Sequence, residues 1–104
     1  MGRKSTGEQT GVASQVRAKA TQPPLFKVLM HNDDYTTMEF VVTMLETVFR
    51  KSPAEANRIM LNIHYRGVGL CGYYPFDIAE TKVNKVHAQA REAGHPLRCS
   101  LEES

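Results

Sequence analysis

The patterned part of the chain begins at residue 25, where a short run of strand-forming apolar residues follows a polar stretch. Residues 25–30 predict a strand with one largely buried face. The polar cluster at residues 31–35 favours a turn. Thr36 and Glu39 then have the spacing of a capping box, so we expect a helix to begin at Thr36. Its apolar positions recur at helical spacing until Arg50: Met38, Val41, Val42, Leu45, Val48 and Phe49.

A second helix is indicated directly after the first. Ser52 is a predicted N-cap, Pro53 suits the first helical position, and Glu55 completes a second capping box. Gly67 supplies the left-handed residue that often ends a helix. The apolar stripe between these signals consists of Ala56, Ile59, Met60 and Ile63.

The last third of the chain predicts a strand, a helix and another strand. Residues 69–74 indicate a strand weakened by its glycines and ended by Pro75. Residues 96–101 alternate between apolar and polar, as in a half-buried strand. Between them, Gly94 ends an amphipathic helix whose apolar residues are spaced three and four apart: Phe76, Ala79, Val83, Val86 and Ala90.

The predicted order βααβαβ indicates an α+β fold. We expect a three-stranded antiparallel sheet with three helices packed on one face, although the pattern leaves the order of the strands open. Residues 1–22 contain few large aliphatic side chains, so we expect a flexible N-terminal extension. Pro23 and Pro24 mark the start of the folded domain, residues 23–104.

Composition narrows the functional classes. A chain of 104 residues with 41% hydrophobic residues has room for one small domain. It has no apolar run of the roughly 20 residues that a membrane span requires and no secretory signal, so we expect a cytoplasmic protein. Residues 1–22 carry four basic residues against one acid, whereas residues 23–104 carry nine against ten. The basic excess therefore belongs to the extension, which weakens the case for a nucleic-acid-binding face on the folded domain.

The two cysteines do not suggest a metal site. Cys71 and Cys99 are too far apart in sequence for a zinc-binding pair, and each lies in an apolar segment. We expect two buried, reduced thiols; a disulfide would require the two strands to be neighbours.

One polar cluster could recognise a cation. Asn32, Asp33 and Asp34 follow the first strand, and His64 borders the apolar stripe of the second helix. An ammonium group offers three donors and no acceptor, so these acceptors would suit it if the fold brings them together. Turn formation by the loop and core packing by the histidine are the alternative interpretations.

At this point the sequence resembles a known family. Residues 29–41, with the sequence LMHNDDYTTMEFV, closely resemble the ClpS family of N-degron adaptors. Further similar motifs occur in the family's order: Ile59-Met60-Leu61 with His64, Cys71-Gly72, Ala79-Glu80-Thr81-Lys82-Val83 and His95-Pro96-Leu97. The resemblance covers residues 25–102. It implies a non-enzymatic adaptor that hands substrate proteins to a ClpA-type AAA+ unfoldase and its ClpP peptidase.

The resemblance also implies roles for particular residues. Asn32, Asp33, Asp34 and His64 would hold the free α-amino group of a substrate. The pocket for its first side chain, which the family prefers to be Leu, Phe, Tyr or Trp, would be formed by Thr36, Met38, Val41, Met60, Ile63 and Leu97, with Met38 as the size gate. The unfoldase N-domain would dock on or near Tyr35, Asp77, Glu80 and Lys82. Residues 1–22 would engage the unfoldase pore. No cofactor or metal is implied, and the adaptor would act as a monomer without nucleic acid or membrane.

Two residues depart from the family's usual pattern. Thr37 stands where Pro is common, which should loosen the start of the helix slightly. His31 stands where an aliphatic residue is usual, which should place a titratable group beside the acceptors. Two other functions remain as alternatives: a metal-dependent hydrolase with Asp33, Asp34 and His64 as ligands, and a small nucleic-acid-binding protein that uses the basic extension.

Overall fold

The computed structural model describes residues 23–104. The elements are β1 (Leu25–His31), α1 (Met38–Thr47), α2 (Pro53–Arg66), β2 (Val68–Pro75), α3 (Phe76–Ala93) and β3 (Arg98–Glu103). Their order is the predicted βααβαβ. The expectation of a flexible extension at residues 1–22 lies outside the described residues. None of the described helices combines the length and the apolarity needed to cross a membrane.

The three strands form one antiparallel sheet in the order β2-β1-β3. The first strand in sequence is therefore the central one, which the sequence pattern had left open. The pairing of β1 with β2 shifts register between Val28 and Leu29, because Val28 faces Gly72 whereas Leu29 faces Leu70. Cys71 is the extra residue at this bulge, and its side chain is fully buried.

The hydrophobic core lies between the helices and one face of the sheet. Side chains alternate along a strand, and in β1 Val28 and Met30 are fully buried while Leu29 between them is not. The helices contribute most of the remaining core: Val41, Met44, Leu45, Ala56, Ile59, Ile63, Ala79, Val83, Val86 and Ala90. The predicted α+β architecture with helices on one face is confirmed.

The start of α1 corrects the predicted cap. Thr37, rather than Thr36, is the N-cap residue, and its hydroxyl accepts a hydrogen bond from the Phe40 N–H at 3.1 Å. Thr36 stays in the loop before the helix, where its own N–H and hydroxyl both donate to the Asp33 carboxylate. The departure from Pro at position 37 thus supplies a side-chain cap.

The end of α1 also differs from the prediction. The helix stops at Thr47, and Arg50 adopts a left-handed backbone with φ of 57°. Val48 and Phe49 nevertheless remain buried in the turn that follows. By contrast, the Ser52 cap, the Pro53 start and the left-handed Gly67 stop of α2 are confirmed.

The burial of Phe76 and the start of β3 differ from the prediction. Phe76 was assigned to the core stripe of α3 but is 48% exposed, because it is the first residue of the helix and reaches past the core to pack against the Phe26 ring. β3 starts at Arg98, two residues later than expected, after Pro96, which has no N–H for the sheet.

Both cysteines are free and buried, as expected. Cys71 is in β2 and Cys99 is in β3, with β1 between them. Strands two places apart in a sheet are about 9–10 Å from each other, too far for a disulfide. Burial raises the pKa of Cys99 to about 12 and raises that of Cys71 further, so both thiols stay protonated.

Candidate functional site

A pocket opens where the loop after β1 meets α1 and α2. Its volume is about 250 Å³, and an apolar cavity of about 150 Å³ already holds a benzene ring. The pocket is therefore large enough for one bulky side chain. It is lined by Asn32, Asp33, Asp34, Thr36, Met38, Val41, Met60, Ile63 and His64.

The polar part of the lining comes from two separate elements. Asn32, Asp33 and Asp34 follow β1, and His64 lies near the end of α2. The Asn32 N–H donates to the Gly67 carbonyl oxygen at 2.9 Å, which ties the loop to the end of α2. The structure thus brings together the four residues expected to bind an α-amino group.

Asp33 is held in a fixed orientation by the loop itself. Its Oδ1 accepts hydrogen bonds from the N–H groups of Tyr35 at 2.8 Å and Thr36 at 2.7 Å, and its Oδ2 accepts from the Thr36 hydroxyl at 2.7 Å. Burial opposes its ionisation, but these hydrogen bonds and the nearby His95 outweigh burial and lower the pKa of Asp33. The site therefore has a pre-oriented negative charge.

The apolar part of the pocket lies between α1 and α2. Val41 and Ile63 are buried, Met60 is half-buried, and Met38 is 45% exposed. Met38 and Met60 have flexible, polarizable side chains that adapt to guests of different shape. An apolar cavity with a polar, negatively charged rim suits a ligand that has a bulky apolar group next to a cation.

Leu97 was expected in this pocket but is not among its lining residues. Its side chain is 4% exposed and belongs to the hydrophobic core. Leu97 is a buried apolar residue just before β3, but its side chain packs against the core and not against the pocket.

His31 does not lie beside the acceptors as expected. Its Nε2 is 2.7 Å from the Ser100 hydroxyl oxygen, and alternation along β1 places it on the sheet face opposite Met30 and the core. Burial and the neighbouring Arg98 lower the pKa of His31. Besides His64, the histidine near the acidic loop is His95, whose ring packs at a tilt against Phe40 with the ring centres 4.7 Å apart. The sequence had given no signal for this placement.

The residues expected to dock the unfoldase separate into two places. Asp77, Glu80 and Lys82 belong to α3, which follows β2 at the end where Pro75 pairs with Leu25. Tyr35, which is 78% exposed, follows the opposite end of β1, about 20 Å away along the strand. The structure therefore groups the three α3 residues without Tyr35.

Lys82 is also engaged within the chain. Its Nζ donates to the Val48 carbonyl oxygen at 2.8 Å and lies 5.1 Å from the Tyr74 ring centre and 5.9 Å from that of Phe49. Its amine therefore links α3 to the turn after α1 and to the Tyr74 ring on β2.

The metal-hydrolase alternative receives no structural support. Within residues 23–104, no three His, Cys, Asp or Glu side chains converge closely enough to hold a metal ion. Asp33, Asp34 and His64 share a pocket without forming such a cluster.

Comparison with known proteins identifies the family. The family description "ATP-dependent Clp protease adaptor protein ClpS" matches residues 21–100. The chain belongs to the ClpS family. A ClpS adapter of Nitratidesulfovibrio vulgaris is 59% identical over 88 residues, which cover 85% of this chain and 88% of that relative. A ClpS adapter of Maricaulis maris is 54% identical over 95 residues, covering 91% of this chain and 87% of the relative.

A solved structure agrees with the ClpS assignment and with the fold. Agrobacterium tumefaciens ClpS2 bound to L-phenylalaninamide matches with a TM-score of 0.76 and 40% identity, covering 80% of this chain and all of that one. The ClpS family is one of Clp protease adaptors, so this chain is a protein of the protein-degradation machinery that works as an adaptor.

Proposed function

We propose that this ClpS-family chain binds the free α-amino group and the bulky hydrophobic first side chain of N-degron substrates. The preferred first residues are Leu, Phe, Tyr and Trp, and the chain delivers the bound protein to a ClpA-type unfoldase with ClpP peptidase. The observation that carries the proposal is the single pocket in which all four acceptors meet Met38, Val41, Met60 and Ile63. The related ClpS2 structure holds L-phenylalaninamide, which has both an α-amino group and a phenyl side chain.

The division between polar rim and apolar pocket explains why both substrate features are needed. A charge-assisted hydrogen bond contributes about 1.5–3 kcal/mol, and burial of a Phe or Leu side chain contributes about as much. Two or three such bonds plus one buried side chain give about 5–10 kcal/mol before ordering costs, which corresponds to about micromolar binding. Neither the hydrogen bonds to the amine nor the buried side chain is sufficient alone for binding of this strength.

Acetylation of the substrate amine tests this function directly. A short peptide beginning with Phe should bind in calorimetry, and its N-acetylated form should not, because acetylation removes the positive charge and two of the three ammonium hydrogens. The same peptide beginning with Ser serves as the control for the pocket and should also bind poorly. Equal affinity for the free and acetylated peptides would contradict the proposal.

Delivery uses other parts of the chain. We assign docking of the unfoldase N-domain to Asp77, Glu80 and Lys82 on α3, with Tyr35 as a separate contact, and engagement of the pore to residues 1–22. A variant that lacks residues 2–22 should bind the Phe peptide normally but fail to support its degradation by the unfoldase and peptidase. Loss of peptide binding on this deletion would contradict the assignment, and binding of nucleic acid through the deleted segment would favour the alternative function.

A further inference from the structure

A second concavity adjoins the pocket. It is an open groove of about 580 Å³ between α1 and α2, lined by Met38, Glu39, Val42, Thr43 and Asn57. Met38 belongs to both linings, so the groove begins where the pocket ends. A ligand that fills the pocket can continue into the groove past this one side chain.

The polar groups of the groove present acceptors. The Thr43 hydroxyl donates its only proton to the Glu39 carbonyl oxygen at 2.9 Å, which leaves lone pairs on its oxygen. The Asn57 amide nitrogen donates to the Pro53 carbonyl oxygen at 2.9 Å, and its Oδ1 remains an acceptor. The Glu39 carboxylate adds a negative charge. Among residues 23–104 the ion pairs are Lys27–Glu102 and Arg58–Glu55, so no described cation neutralises Glu39.

The apolar surface of the groove complements these acceptors. Met38 is 45% exposed and Val42 is half-buried, so both can cover an aliphatic chain. A side chain with an aliphatic stem and a cationic end matches this combination, because Lys and Arg bury their methylene groups and keep their charge at a polar edge. An acidic side chain would be repelled by the Glu39 carboxylate.

Chain geometry relates the groove to the pocket. Successive side chains of an extended peptide point in opposite directions and their Cα atoms are about 3.8 Å apart. A peptide whose first side chain enters the pocket on one side of Met38 therefore has its second side chain within reach of the other side. The groove is thus placed for the second residue of the substrate.

We propose that the α1–α2 groove is a second subsite that binds the side chain after the N-terminal residue and selects Lys or Arg through Glu39. This inference rests on the proposed function and adds a second specificity-determining position to it. The described lining contains one carboxylate, so the selection is modest in size and depends on salt.

Three amidated peptides that begin Phe-Lys, Phe-Ala and Phe-Glu test the subsite on the full chain. By calorimetry at low salt, we expect Phe-Lys to bind about two- to five-fold more tightly than Phe-Ala, and Phe-Glu to bind less tightly. Within the Glu39→Gln variant, Phe-Lys and Phe-Ala should bind with equal affinity. Glu92→Gln, the same charge change on the exposed surface of α3, should keep the preference.

The outcomes separate the two proposals. Equal binding of all three peptides by the unmodified chain, or a Lys preference that survives Glu39→Gln, would overturn the subsite and leave the proposed function intact. A loss of preference in Glu92→Gln as large as that in Glu39→Gln would assign the effect to overall charge and also overturn the subsite. Failure of Phe-Ala itself to bind would overturn the proposed function.

Discussion

Thr36 links the shape of the acidic loop to the wall of the pocket. Its N–H and its hydroxyl both donate to Asp33, and the residue also lines the pocket. A carboxylate fixed in this way is oriented before a ligand arrives, so little side-chain entropy is lost on binding. Under the proposed function, Thr36 would act on the α-amino group through Asp33.

Removal of the Thr36 hydroxyl tests this coupling. Thr36→Val keeps the volume of the side chain and loses one hydrogen bond to a carboxylate, so we expect affinity for a Phe peptide to fall about three- to ten-fold. The pKa of Asp33 should rise, because the lost bond stabilises the charged form. Calorimetry and an NMR titration of the carboxyl carbon measure the two effects.

Thr36→Ser is the matched control, since it keeps the hydroxyl and loses the methyl group. It should bind almost as well as the unmodified chain. A loss of affinity in Thr36→Ser equal to that in Thr36→Val would show that the methyl contact, and not the bond to Asp33, controls binding.

Boundary residues show how far the sequence predicts the elements. Ser52, Pro53 and Gly67 act as their local chemistry predicts, because their partners lie within the next few residues. Thr36 is not the cap because Asp33, three residues earlier, accepts hydrogen bonds from its N–H and its hydroxyl and holds it in the loop, and Thr37 caps α1 instead. Local rules thus succeed at the start of α2 and fail at the start of α1, where two neighbouring threonines could serve as the cap and a loop residue decides between them.

Tertiary contacts account for what the pattern could not predict. The four acceptors were recognisable as residue types, but their meeting depends on the loop after β1 reaching α2, which no spacing encodes. Likewise, the central place of β1 and the burial of Leu97 outside the pocket lining depend on packing of distant segments. The roles of the acceptors and of the pocket residues came from the family resemblance, because the periodicity of the sequence does not assign them.

One N–H on the outer edge of β3 is paired with a histidine of α3. The Cys99 N–H donates to Nε2 of His87 at 2.9 Å, so a strand edge that would otherwise be open has a partner from the helix. This nitrogen accepts only when it is unprotonated. Burial, with Arg91 and Arg98 nearby, lowers the pKa of His87.

Stability should therefore fall on acidification. Because the pKa of His87 is lower in the folded chain, the unfolded chain binds a proton first as the pH decreases. The stability that is present above about pH 6.5 is therefore lost as the pH falls towards the pKa of His87 in the folded chain. We expect the melting temperature to drop by a few degrees between pH 7.5 and pH 5, and to drop less in His87→Gln. The double variant with His31→Gln should be flatter still, because the pKa of His31 is lowered as well. An unchanged slope in both variants would contradict this account.

Lys82 connects the surface proposed for docking to the packing of the whole domain. It lies on α3, but its Nζ caps the Val48 carbonyl oxygen after α1 beside the rings of Phe49 and Tyr74. A carboxylate of a docking partner would compete with that carbonyl for the same amine. Any effect of a Lys82 substitution on delivery therefore combines a surface contribution with a folding contribution.

Lys82→Met separates these contributions when it is compared with Lys85→Met, which removes an exposed amine from the same depression on α3. Loss of a charged hydrogen bond and a ring contact should cost Lys82→Met about 1–2 kcal/mol, or roughly 4–16 °C in melting temperature for a domain of this size. Lys85→Met should melt like the unmodified chain.

Binding is then measured at a temperature where Lys82→Met is folded. If this variant binds a Phe peptide normally but no longer binds the unfoldase N-domain, the Lys82 amine is a docking group as well as a cap. If N-domain binding is unchanged, Lys82 only stabilises the end of α1, and docking depends on Asp77 and Glu80. An unchanged melting temperature of Lys82→Met would contradict the capping role.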